Sequence, residues 1–193
     1  GNQPDVRKTA TSNFKRHGER IYLVGTTDEE LGASEVAFHF RERGDATGIG
    51  GQVPRLEDPE RQLEVYRKLS SSIQNGLIRT AHDCSEGGLA VALAEMCIGG
   101  RLGAIIDIDG IGSGDVFSRL WSESLGRIIV SVEAEHELAF VEMMGGADIH
   151  LIGMVTESPD LIVEDGYDTV FHSDVDDLTH SWKGSLDMTG AVE

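Results

Sequence analysis

The segment His82-Asp83-Cys84-Ser85-Glu86-Gly87-Gly88, running into Leu89-Ala90-Val91-Ala92-Leu93-Ala94-Glu95-Met96, constrains this chain most. The residues before it, Leu77 to Ala81, read as a strand, and the Ala- and Leu-rich run Leu89 to Cys97 reads as a helix stopped by Gly99-Gly100. Between them a polar turn ends in a glycine pair. Glycines let backbone approach a ligand closely, and the free N–H groups of a helix start attract anions. Asp83 falls at the strand's C-terminal end, where a carboxylate can hold Mg²⁺ bridging phosphate oxygens. Ser85 can cap the helix or donate to a phosphate. The plain alternative stays open: Asp and Ser cap helices, Gly-Gly turns chains, and this is neither a Walker A loop nor a GxGxxG motif.

Around this centre, strands are expected at 21–25, 104–108, 127–132, 149–155 and 169–171, and helices at 34–40, 116–121, 133–144 and 174–182. Asp58-Pro59-Glu60 reads as an N-cap, a proline at N1 and an acid in the first turn. The helix that follows repeats apolar residues at Leu63, Tyr66, Leu69 and Ile73 and ends at Asn75-Gly76. Gly44 to Val53 is a glycine-rich loop, and residues 1–18 read as a linker or entering strand before one domain over 19–193. Strands alternate with helices, but the last strands come together. That pattern predicts an α+β, three-layer α/β/α fold with a mixed sheet rather than a doubly wound parallel one.

Charge limits the partners. The chain has 193 residues, 34 acids against 16 bases and a net charge of −18. Nucleic acid is excluded as a partner, because its binding rests on Lys and Arg neutralising phosphates. An anionic membrane surface is excluded for the same reason, and the longest apolar runs are too short to span a bilayer. No charged-then-apolar leader opens the sequence, so a cytoplasmic setting is expected. Cys84 and Cys97 are the only cysteines and form no metal-spaced cluster, so two reduced thiols are expected. His82 is a candidate general base, but a His that orients the strand end is the favoured reading. Glu35 is expected to be buried in the first helix, paired with an arginine.

The central segment resembles the HDxS(D/E)GGLxxALAEM signature of the AIR synthetase-like superfamily, in the form typical of phosphoribosylformylglycinamidine synthase (PurL). Three further segments match in order: Leu31-Gly32-Ala33-Ser34-Glu35, similar to LGGSEY; Trp121-Ser122-Glu123-Ser124-Leu125-Gly126-Arg127, similar to FSES-x-GR; and Asp176-Asp177-Leu178 with Trp182-Lys183-Gly184, similar to the PurL C-terminus. The resemblance covers roughly residues 12–190 and is closest to the C-terminal half of the second PurL module. It implies a PurM C-terminal-domain-like fold and a part in an ATP-dependent C–N ligase of purine biosynthesis, converting FGAR to FGAM with ammonia from glutamine.

The resemblance also implies site residues and partners. Asp83 would bind Mg²⁺, Ser85, Gly87 and Gly88 would bind nucleotide (ATP or ADP), and the loop Glu123-Ser124-Leu125 would contact substrate. No catalytic residue is assigned, because the family's ATP lysine and catalytic histidine lie in N-terminal halves. The implied partners are that N-terminal half and, in short-chain enzymes, glutaminase and small PurS-type subunits. A homodimer is open. The isolated chain is expected to be inactive and to expose an apolar face. The alternatives are another superfamily member (AIR synthetase, selenide water dikinase, thiamine-phosphate kinase or HypE) and a non-catalytic binding or assembly module.

Overall fold

The computed structural model describes residues 5–44 and 49–184. The first four residues, part of the expected Gly44–Val53 loop and everything after Gly184 lie outside the described residues.

Three of the helix starts carry a side-chain cap. Helix α1 (Glu35–Glu42) is capped by Ser34, whose Oγ accepts from the Ala37 N–H. Helix α2 (Pro59–Gln74) begins at Asp58, which accepts from Arg61 N–H at 2.9 Å, with Pro59 in the first turn. Asp115 caps α4 (Val116–Trp121) in the same way, accepting from the Ser118 N–H. Each such cap is worth about 1 kcal/mol. The remaining helices are α3 (Gly88–Gly100), α5 (Glu137–Met144), preceded by a 3₁₀ turn at Ala134–His136, and α6 (Val175–Gly184).

Seven strands form one sheet: β1 (Arg20–Val24), β2 (Ile78–Asp83), β3 (Gly103–Asp107), β4 (Ile128–Val132), β5 (Ile149–Thr156), β6 (Asp160–Asp165) and β7 (Asp168–Asp174). Their order is β2-β4-β1-β5-β3-β6-β7. All neighbours pair antiparallel except β3 with β6, which is parallel. The sheet is therefore mixed, and helices lie on both faces.

On one face α3, α4 and α6 bury Leu89, Leu93, Met96, Leu120 and Val175 against β1, β3, β4, β5 and β6. On the other, α2 and α5 bury Val65, Leu69, Phe140 and Met144 against β2, β4 and β1. Tyr22 and Phe140 meet there at a tilt, with ring centroids 5.2 Å apart and ring planes 59° apart. Beyond these two helices the same sheet face is open, and Ile105, Leu151 and Met154 are exposed on it.

Several expectations need correction. Leu63 and Tyr66 do not lie on the buried stripe of α2; they are exposed, and Val65, Leu69 and Ser72 face inward. Gly99-Gly100 does not stop α3, which continues to Gly100 and turns at Arg101 in the left-handed region. Residues 5–18 explain why glycine stands there. Their Phe14 is buried and its carbonyl would sit 2.5 Å from a Cβ on Gly100, so only glycine allows the crossing. Strand β6 was not expected, because its apolar core of three residues is flanked by Asp160, Glu164 and Asp165. Pairing with β3 and β7 on its two sides makes it a strand. Glu35 is exposed, and its backbone N–H rather than its carboxylate makes the significant contact.

Candidate functional site

Strand pairing decides which loops meet. Asp83 at the end of β2 and Val24 at the end of β1 both pair with Ile128 at the start of β4. The loops 84–87, 122–127 and 25–34 therefore leave the sheet at one end. The Cys84 N–H donates to the Arg127 carbonyl at 3.0 Å, tying the first two together. Together with Tyr66 of α2 they wall a cavity of about 430 Å³ that reaches Asp83, Ser85, Glu86, Glu123 and Arg127.

Asp83 is exposed, and the Ser85 hydroxyl donates to its Oδ2. That hydrogen bond holds the Asp83 carboxyl below its ordinary pKa. One exposed carboxylate beside a hydroxyl fits a Mg²⁺ ion that takes its other ligands from water and phosphate oxygens. It does not form an all-protein cage. Gly87 and Gly88 follow with φ of 79° and 64°, and no side chain of the turn caps α3. Gly88 N–H donates to the Ser85 carbonyl at 3.0 Å.

Glu123 fills the place an anion would take. Its Oε1 accepts from Gly87 N–H at 2.9 Å and from Glu35 N–H at 2.8 Å. One carboxylate oxygen thus joins the starts of α3 and α1, where helix dipoles favour negative charge. Its neighbours act as struts. The Ser122 hydroxyl accepts from Glu30 N–H, and the Ser124 hydroxyl accepts from Asp28 N–H, both at 3.1 Å, so both serines are buried. Of the expected substrate loop only Leu125 projects its side chain into solvent.

Sequence reasoning did not single out Arg127, the last residue of this loop. It is 1% exposed. Nη1 donates to Thr27 Oγ1 at 3.1 Å, Nη2 to the Ser122 carbonyl, and Nε has no partner among the described residues. Burial lowers its pKa, while the neighbouring Cys84, Glu30, Asp28 and Glu123 act the other way. A buried guanidinium with an unused donor beside a cavity is an unusual arrangement, since buried polar groups are almost always satisfied. The Gly-Arg pair closing the Ser122-to-Arg127 motif was the available signal.

His82 is engaged on both sides, Nδ1 lying 2.7 Å from the Asp83 carbonyl and Nε2 3.0 Å from Glu95 on α3. It has no free nitrogen to serve as a base, and it orients the strand end. Cys84 is no nucleophile either. Burial pushes its thiol up to about 11 and that of Cys97 up to about 12. Both thiols are expected to resist a thiol reagent at pH 8 in the native chain and to react only on unfolding. Rapid native modification of Cys84, followed by absorbance, would contradict this placement.

A family model described as AIR synthase related protein, C-terminal domain, matches residues 16–166. The chain belongs to this family. Among solved structures, T. maritima PurL complexed with FGAR is 22% identical with a TM-score of 0.73, covering 90% of this chain and 30% of that one. T. maritima PurL complexed with ATP gives 0.69 at 22% identity, over 90% of this chain and 27% of that one. Hydrogenase maturation protein HypE in complex with ATP gives 0.59 at 15% identity, over 89% and 54%. The AIR synthase-related C-terminal domain thus spans less than a third of the PurL chains it matches. At these identities the likeness shows the fold, the mixed-sheet α+β arrangement of a PurM C-terminal-like domain. Among the described residues no helix is long and apolar enough to cross a membrane.

Proposed function

We propose that this domain is the C-terminal half-module of a PurL-type ligase and contributes one wall of a nucleotide or substrate cleft. The observation that carries this reading is the convergence of the His82–Gly88 turn and the Ser122–Arg127 loop on one cavity. These are two of the four segments whose motifs resemble PurL. The PurL neighbours complexed with ATP and with FGAR support it, as does their higher TM-score than HypE's.

In the complete enzyme ATP would phosphorylate the amide oxygen of FGAR, and ammonia would then displace phosphate to give FGAM. This chain's part is positioning and charge control. Asp83 would hold Mg²⁺, which would neutralise phosphate charge. Ser85 would turn its hydroxyl from Asp83 to a phosphate oxygen, and the Gly87-Gly88 backbone would allow close approach. Arg127 would add a positive charge behind the cavity. Glu123 and Leu125 would face the substrate side. The exposed strip of Ile105, Leu151 and Met154 would receive the N-terminal half, without which the domain would be inactive.

Calorimetric titration of Mg·ADP and Mg·ATP into this chain tests the reading. Binding is expected in the parent and at least about tenfold weaker in Asp83→Ala, a difference of ~1.4 kcal/mol. Equal binding by parent and variant would remove Asp83 from the nucleotide site. No binding by either would confine the turn to a structural role in this chain.

A further inference from the structure

The opposite end of the same strands carries a second cavity, larger than the first at about 640 Å³. Its lining draws on residues 7–19, the C-terminal turn of α2, the start of β2 and Glu133 after β4. In a chain of net charge −18, five of the sixteen basic residues stand around this one opening: Arg7, Lys8, Lys15, Arg16 and Arg79. Among the described residues two acids share the lining, Glu19 and Glu133. Glu19 is buried with its carboxylate accepting from the Ser131 hydroxyl, and Glu133 pairs with Arg16 at 3.3 Å. Arg7 pairs with Asp5 at the rim. Lys15 donates to Asn13 Oδ1 and lies near Glu19, so the lining carries five bases against two acids within a strongly acidic chain.

Backbone geometry sets Arg79 apart. Ile78 pairs with Val132 and Thr80 with Ser131, so Arg79 is the extra residue of a β-bulge, a device that re-aims a side chain. Its carbonyl accepts from Thr11 N–H at 3.1 Å, which fastens the basic segment 7–16 along the free edge of β2. Arg79 is exposed and has no ion-pair partner among the described residues. The α2 C-terminus would repel an anion, but its last carbonyls are occupied. Those of Ser71, Ser72 and Ile73 accept from the N–H groups of Asn75, Leu77 and Gly76.

The geometry points to a binding site for a small polyanion carrying two or more linked or neighbouring phosphates. The volume lies within the range of small-molecule sites, roughly 300–1,000 Å³. Among the described residues no aromatic lines it, so recognition rests on phosphate charge and on the hydroxyls of Thr9 and Thr11 rather than on stacking a base. A concave pocket suits such a compound better than an acidic protein segment, which a flat basic surface would serve. This site lies at the other end of the sheet from Asp83 and goes beyond the ligase reading, standing or falling without it.

The test is calorimetric titration of inorganic pyrophosphate, without magnesium and at low ionic strength, into the 193-residue chain. One-to-one binding is expected, weakened at least about tenfold by Arg79→Ala and by Lys15→Ala, and weakened again by added KCl. Arg67→Ala removes the same charge from the exposed face of α2 outside this cavity, and Asp83→Ala alters the other site. Both are expected to stay within about twofold of the parent. Absence of binding overturns the proposal. So does equal weakening by Arg67→Ala, which would mean diffuse attraction, or binding of a hexaglutamate peptide where pyrophosphate fails.

Discussion

Arg127→Met is expected to leave the domain within about 1 kcal/mol of the parent's stability, whereas Arg127→Ala costs ~2–4 kcal/mol. The guanidinium is buried, forms no ion pair among the described residues and leaves Nε unpaired. Its desolvation is therefore only partly offset by two hydrogen bonds and the nearby Asp28, Glu30 and Glu123. Methionine refills most of the volume without a charge. Both variants strip the Ser122 carbonyl and Thr27 hydroxyl of their donor, a loss that release of the guanidinium's desolvation cost offsets, and alanine alone adds a cavity. Urea midpoints of the three chains measure both effects. A charge that could be exchanged for methionine at so little cost is kept for something other than stability. Mg·nucleotide binding is accordingly expected to fall about 10- to 100-fold in the methionine variant. If methionine destabilises as much as alanine, the guanidinium is a strut between two loops and the ligand argument fails.

Much of this arrangement could be read locally. Asp58-Pro59 placed the start of α2 because a cap acts on the next three residues. The turn from His82 to Gly88 placed the end of β2 and the start of α3 because its glycine pair takes positive φ and turns the chain there. What escaped was whatever depends on distant partners. Glu123 joins Gly87 and Glu35, 36 and 88 residues away along the chain. The Thr27 partner of Arg127 lies 100 residues off. No periodicity carries such information. The apolar repeat in α2 does not say which face is buried, because two faces of the helix carry apolar residues. Phe140 and Met144 of α5, packing with Val65 and Leu69, settle which one is buried. Tyr66 is left to line the cavity beside Asp83. The basic cavity was hidden twice, by the net charge and by a bulge that only strand register shows.

Gly88→Ala is expected to destabilise the domain by about 3 kcal/mol or more, because two separate penalties fall on one atom. At φ of 64° an alanine pays ~1–2 kcal/mol for the left-handed backbone alone. Its Cβ would then lie 2.5 Å from the Ser122 carbonyl oxygen and 2.8 Å from that of Leu120. Both are backbone atoms, so no side chain can swing away. The 122–127 loop would have to move, and with it the hydroxyl that holds Glu30 and the carboxylate that joins α1 to α3. Gly110 supplies the control. Its φ is 73°, but a Cβ there meets nothing within 4 Å. Gly110→Ala is therefore expected to show the conformational cost alone, about 1 kcal/mol. The excess of the first variant over the second measures how tightly the two motif loops are packed. An excess of at least about 2 kcal/mol, accompanied by loss of Mg·nucleotide binding, means that the site exists only while the loops touch. Equal losses would mean that the loops are independent, and the cavity between them could not be a built site.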